Sequence, residues 1–211
     1  MTDASNLPRL YVILDVESAR RRDHSVLEVA RGAFEGGARF FQCRFKELSD
    51  AENWRRVEGV AELLSNTEAI VTVNGRADMT VAAELSGVHL PSDGMPMPAV
   101  RRVLGGGLVG RSTHSLTEAK RAERAGADFA TISPVFISDS KPGYGPPLEI
   151  DGLREVSDAV DMPLYALAGI EPSRVEPCLA AGARGVAVMS GICAAEDVEE
   201  ATRAYVSHTA T

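Results

Sequence analysis

Eight short apolar runs, each followed by a stretch of helical spacing, partition this chain along its length. The runs are Leu10–Leu14, Phe40–Arg44, Ile70–Val73, Val88–Leu90, Leu108–Gly110, Phe129–Ile132, Leu164–Ala168 and Val186–Met189. Between them lie amphipathic segments such as Ser25–Phe34, Ala51–Leu64, Glu118–Ala125 and Ser173–Ala181, and Ala195–Tyr205 follows the last run. Apolar residues recur in Ser25–Phe34 at Val26, Leu27, Val29, Ala30 and Phe34, one face of a helix. Strands alternating with helices of this length specify βαβ units and a parallel sheet. Eight such units with no switch of order predict a closed (β/α)8 TIM barrel, a single domain over residues 1–211, in preference to an open doubly wound sheet.

A weak repeat marks the joints. Gly37-Ala-Arg-Phe40, Gly126-Ala-Asp-Phe129 and Gly182-Ala-Arg-Gly185 each connect a helix to the next strand, with glycine placed where a helix ends in positive φ. The one long irregular stretch, Ser133–Pro147, is rich in Pro, Gly and Ser and reads as a substrate loop or lid.

The net charge of −8 argues against nucleic acid or an anionic membrane as main partner, since both select basic faces. No apolar run approaches the roughly 20 residues that span a bilayer, and MTDASNLPRL lacks the features of a signal peptide. Cys43, Cys178 and Cys193 lie far apart with no metal-ligand spacing, so neither a disulfide framework nor a zinc site is expected, and the expected compartment is the cytoplasm.

Barrel enzymes carry their chemistry at the C-terminal ends of the strands, and polar residues gather there. Asp15 follows the first strand, Gln42, Arg44 and Lys46 end the second, and Asn74 ends the third. His89 sits near the end of the fourth; Ser112 and His114 follow the fifth, Ser133 the sixth, Gly169 the seventh and Ser190 the eighth. Gln42, Arg44 and Lys46 are spaced by two and share one strand face, where two cations and an amide suit a phosphate or diphosphate. The last run opens onto Ser190-Gly191, small residues before a helix, where backbone N–H groups hold phosphate.

Plainer readings compete at each position. Gln42, Arg44 and Lys46 could form a solvated edge pairing with Glu47 or Asp50, with Phe41 and Phe45 turned inward. Asn74 could cap the next helix, His89 could be a packed barrel-layer residue, and Lys141 could be a solvated loop lysine. Ser112-Thr113-His114 lacks the elbow and the acidic third member of a nucleophilic triad, so Ser112 reads better as a hydrogen-bond donor to an anion.

Together these residues resemble the thiamine phosphate synthase / TenI superfamily. The similarity runs in order through Leu10-Tyr-Val-Ile-Leu-Asp15, Gln42-x-Arg44-x-Lys46, Asn74, Gly87-Val-His-Leu90 and Gly110-Arg-Ser-Thr-His-Ser115. It continues through Ser133-Pro-Val-Phe136, Lys141-Pro-Gly143, Ala168-Gly-Ile170 and Val188-Met-Ser-Gly-Ile192. The resemblance implies a thiazole phosphate held by Gly169, Met189, Ser190 and Gly191. It also places Ser112, Ser138, Ser140 and Lys141 against the substrate and makes a homodimer the expected assembly.

Synthases of this superfamily hold magnesium with an Asp directly after the Asn and another in a Gly-Gln-x-Asp run. Here Asn74 precedes Gly75, and His89-Leu90 precedes Pro91-Ser-Asp-Gly94, which leaves Asp93, with Asp15, as the candidate ligands of an Mg2+ site. The strings Asn74-Gly-Arg76, Leu90-Pro-Ser92, Gly110-Arg-Ser112 and Ala187-Val-Met-Ser-Gly-Ile192 resemble the TenI branch instead, so the expected activity is a metal-free thiazole tautomerase. The His that such tautomerases carry is Pro134 here, so proton transfer falls to His114 or His89, with Tyr144 more remote. The alternative is a magnesium-dependent thiamine phosphate synthase, and a further one is a non-catalytic sensor of the phosphorylated thiazole.

Overall fold

The computed structural model of the chain describes residues 6–46, 48–138 and 146–209. Its strands are β1 (Leu10–Leu14), β2 (Phe40–Cys43), β3 (Ile70–Asn74), β4 (Gly87–Leu90), β5 (Leu108–Thr113), β6 (Phe129–Ile132), β7 (Leu164–Leu167) and β8 (Gly185–Val188). Every neighbouring pair is parallel, and β8 returns to β1 through Leu10↔Val186, Tyr11↔Ala187 and Val12↔Val188. The result is the (β/α)8 barrel expected from the alternation of runs.

Helices α1 (Val16–Arg20), α2 (Val26–Glu35), α3 (Asp50–Leu64), α4 (Ala77–Ala82) and α5 (Met97–Leu104) follow the first four strands. The rest are α6 (Leu116–Arg124), α7 (Glu149–Ser157), α8 (Pro172–Ala180), α9 (Ser190–Cys193) and α10 (Val198–Ser207). Local chemistry sets their starts: Ser25 with Glu28 and Ser49 with Glu52 form capping boxes, while Ser115 and Asp197 cap α6 and α10. Gly37, Gly126 and Gly182 adopt φ of 103°, 85° and 92° just past α2, α6 and α8, as the repeat predicts.

Strand side chains alternate between two cores. Outward residues such as Val12, Leu14, Phe41, Cys43, Val71 and Val73 pack against the helical shell. Inward residues Tyr11, Phe40, Phe129 and Tyr165 fill the barrel itself, with Tyr11 stacked on Phe40 at 4.0 Å between ring centroids. Each ring buried this way stabilises the fold by about 1.5–3 kcal/mol. Register keeps inward residues beside inward residues: Ile13↔Gln42, Gln42↔Thr72 and Asn74↔His89 on one side, His89↔Gly110 and Ser112↔Thr131 on the other. Gly110 gives Phe129 its space, since a Cβ there would lie 2.4 Å from the ring.

Three local expectations need correction. β2 stops at Cys43, so Lys46 stands in the following turn, outside the strand face shared by Gln42 and Arg44. β5 runs on to Thr113, which puts Ser112 inside the strand. The helix behind Ser190-Gly191 is the four-residue α9, and α10 begins only at Val198, because Asp197 caps a new helix there. Glu47, Ser140, Lys141 and Tyr144 lie outside the described residues.

Candidate active site at the C-terminal mouth

On the β1–β2 side, the inward face carries a fixed polar column. Gln42 is 2% exposed and donates from Nε2 to Tyr11 Oη at 2.9 Å, and Tyr11 Oη lies 2.6 Å from Thr72 Oγ1. Thr72 in turn donates to the Phe41 carbonyl at 3.2 Å. Burial drives the Tyr11 phenol well above its ordinary range, so it remains a neutral link in this column. Phe41 and Phe45 lie in the outer shell, which settles the orientation of β2: Gln42 and Arg44 face the barrel.

One residue above Cys43, Arg44 keeps the ladder by donating its backbone N–H to Leu14 O at 3.0 Å. Its guanidinium donates from Nη1 to Asp15 Oδ2 at 2.7 Å and touches Met189 Sδ at 3.8 Å, so it spans the mouth from β2 to the end of β8. The other oxygen of Asp15 accepts the Ser18 N–H at 2.9 Å and caps α1. Lys46 is exposed in the turn beyond.

Across the mouth, Asn74 is the last residue of β3, and its side chain makes no hydrogen bond to a described residue. It does not cap α4, whose N-cap position is Arg76 and which has no side-chain cap. His89 is packed within the barrel at 2% exposure, stacked on Phe129 at 5.5 Å, with Nε2 3.4 Å from Thr131 Oγ1. Its Nδ1 has no hydrogen-bond partner among the described residues. Burial first, and the charge of Arg111 second, push its pKa down to about 3. Ser112 shares the inward face with Gly110, and His114 places Nδ1 2.9 Å from the Ser133 carbonyl and 3.2 Å from Ser133 Oγ. Asp93 is exposed on the loop after β4, which Arg111 braces by donating to the Ser92 and Met95 carbonyls at 2.9 and 3.1 Å.

The β7–β8 side is built from backbone. Ala168 and Gly169 follow β7 with successive φ of 81° and 64°. A Cβ at Gly169 would lie 2.4 Å from Ile137 O, so the segment after β6 packs directly on this turn. Met189, Ser190 and Gly191 form the turn into α9, and Ser138 stands half-buried on the segment after β6. The N–H groups of Gly169, Ile170 and Gly191 make no hydrogen bond to a described residue. Donors left open in this way suit an anion's oxygens.

The mouth therefore has a guanidinium on one side and open backbone donors on the other. Sequence reasoning placed these positions and Asp15 at one rim without foreseeing the Asp15–Arg44 pair, and missed two residues that hold the β7–α8 turn: Arg174 on the Gly169 carbonyl at 2.6 Å and Tyr205 on the Ile170 carbonyl at 3.0 Å. Asp15 alone carried a signal, as a carboxylate at the end of an apolar strand; Arg174 and Tyr205 lie on helices whose exposed and buried faces are indistinguishable from other helices in sequence.

The family described as thiamine monophosphate synthase matches residues 10–192. Thiamine-phosphate synthase of Chloroflexus aurantiacus is 36% identical over 195 residues, covering 92% of this chain and 89% of its own. The protein of the same name from Methanoculleus marisnigri is 37% identical, with 92% of each chain covered. Thiamine phosphate pyrophosphorylase from Pyrococcus furiosus superposes with a TM-score of 0.84 at 31% identity over 95% of both chains. Relatives this similar over this much of the chain overturn the tautomerase expectation, which rested on short rim strings. The chain belongs to the thiamine monophosphate synthase family.

Proposed function

We propose that the chain is a thiamine phosphate synthase, a transferase that couples a pyrimidine methyl diphosphate to a thiazole phosphate and releases diphosphate. The observation that carries this reading is the identity of 36–37% to named synthases over nine-tenths of the chain. The two-sided mouth supports it: the reaction needs two anions held apart, with the reacting carbon between them.

Arg44, with Lys46, would bind the diphosphate, and Gln42 and Asp15 fix the strand end that presents Arg44. As the bond from the methylene carbon to diphosphate breaks, negative charge grows on the leaving oxygens, and a pre-placed guanidinium stabilises that change. Gly169, Met189, Ser190 and Gly191 would bind the thiazole phosphate through backbone N–H groups, with Ser112 and Ser138 toward the substrate. The roles of Ser140 and Lys141 rest on the resemblance alone. Neither His89 nor His114 is required as acid or base in such a coupling.

Magnesium is the cation this family implies. Among the described residues no three His, Cys, Asp or Glu side chains gather into a cage. Mg2+ is, however, commonly held by one or two carboxylates together with substrate phosphates and waters. Two groups are available for that lighter arrangement: the Asn74 amide and the exposed Asp93 carboxylate make no hydrogen bond to a described residue, whereas Asp15 is engaged by Arg44. Asn74 and Asp93 would hold the ion, which when bound neutralises charge on the departing diphosphate.

A homodimer and a cytoplasmic location complete the proposal; among the described residues no helix is long and apolar enough to cross a membrane. The deciding experiment is a coupling assay with both substrates and saturating magnesium. Formation of thiamine phosphate is expected, and its absence with both ligands bound would replace the synthase by a sensor.

A further inference from the structure

We propose that Tyr205, on the last helix, is a positioning residue for the thiazole-phosphate pocket: its hydroxyl clamps the β7–α8 turn and reserves position 191 for glycine. This rests on the reading of that corner as the phosphate site. Two relationships support it. Tyr205 Oη donates to the Ile170 carbonyl at 3.0 Å, a contact between residues 35 apart in sequence. A Cβ at Gly191 would lie 2.3 Å from the same oxygen, with the next ring atom, Cζ, at 3.3 Å. One hydroxyl therefore touches both turns that carry the open N–H groups of Gly169, Ile170 and Gly191.

The consequence follows from peptide planarity. In a trans peptide the C=O of one residue and the N–H of the next point in opposite directions. Arg174 Nη1 holds the Gly169 carbonyl at 2.6 Å, and Tyr205 holds the Ile170 carbonyl. The N–H groups of Ile170 and Glu171 are thereby aimed away from those two donors. Ala168 and Gly169 both have positive φ, a conformation that costs free energy at a non-glycine residue and persists only when neighbours fix it. A phenylalanine would fill the same buried space, at 3% exposure, so the hydroxyl has a role that core packing does not require.

The test uses the full chain with Tyr205→Phe, Gly191→Ala and the double variant. Inorganic phosphate and thiazole phosphate are titrated by calorimetry, and steady-state constants are measured for both substrates. Tyr205→Phe is expected to weaken both phosphate ligands about 3- to 10-fold, the range for one lost hydrogen bond. It should raise KM for thiazole phosphate and leave KM for the pyrimidine diphosphate and kcat nearly unchanged, a split that general loss of stability would not produce. Gly191→Ala should weaken binding more than tenfold in the Tyr background and much less in the Phe background, where the clashing oxygen is gone. Unchanged phosphate affinity in Tyr205→Phe, or equal damage from Gly191→Ala in both backgrounds, overturns the proposal. If the predicted pattern appears with inorganic phosphate but no thiamine phosphate forms, the synthase reading falls and the clamp stands. If all variants couple with normal KM, the clamp falls and the synthase stands. Wild-type protein that binds neither phosphate ligand overturns both.

Discussion

The carboxylate of Asp15 bridges the end of β1 to the Arg44 guanidinium at the end of β2, at 2.7 Å, while its second oxygen caps α1. The Arg44 and Asp15 side chains are mostly shielded, at 20% and 10% exposure, so breaking the pair leaves a poorly solvated, uncompensated cation. Asn caps helices as well as Asp does. Asp15→Asn is therefore expected to cost about 1–2 kcal/mol from the lost charge pairing, and Asp15→Ala about 1 kcal/mol more from the lost cap. Urea denaturation checks this; equal stability of the two variants would show that the cap contributes nothing.

Arg44→Ala should raise KM for the pyrimidine diphosphate more than tenfold and that for thiazole phosphate much less, since Arg44 is fixed to Asp15 at the β1–β2 end and meets the β8 turn only through the Met189 sulfur. Arg44→Lys should recover only part of the loss, because an ammonium cannot serve a carboxylate and a diphosphate with one planar fork. Steady-state kinetics with each substrate varied in turn tests this, and equal effects on both KM values would refute the two-sided assignment.

His89 is held neutral in the folded state, with its pKa lowered to about 3 chiefly by burial. An ordinary unfolded histidine binds a proton near pH 6.5. Below that pH the unfolded state holds the extra proton, so this group's contribution to stability is present above about 6.5 and declines by about 1.4 kcal/mol per pH unit as pH falls toward 3. His89→Phe should flatten the stability profile between pH 6.5 and 4.5. Parallel profiles for wild type and variant would contradict the assignment.

Gly110→Ala forces a methyl to within 2.4 Å of the Phe129 ring at the centre of the barrel. Overpacking of this kind costs about 1–3 kcal/mol. Phe129→Leu in the same chain should return part of that loss, measured by thermal unfolding, whereas additive losses would place the strain elsewhere.

The fold was legible because buried strands announce themselves. Leu10–Leu14 and Phe129–Ile132 are bounded in the structure where the sequence predicts, since few other conformations hide such runs. The rim was legible by counting two residues at a time from those strands, which turned Gln42 and Arg44 inward together. Lys46 broke the count because the chain turns away after Arg44, whose N–H still pairs with the Leu14 carbonyl. The branch of the superfamily was misread because Asn74-Gly-Arg76 and its companion strings are short, whereas relatedness is carried by residues spread over the whole chain. Tyr205 was invisible in sequence because its partners, Ile170 and Gly191, come beside it only after the barrel has closed.

Closure carries a consequence for how the protein is made. Leu10 pairs with Val186, so one flank of β1 waits until β8, the last strand of the barrel, has been made. Until then the nascent sheet has exposed backbone on both borders, which invites mispairing with other chains. The barrel loses both borders only when β8 docks, so the interval between the making of β1 and of β8 is when the chain is most open to that hazard.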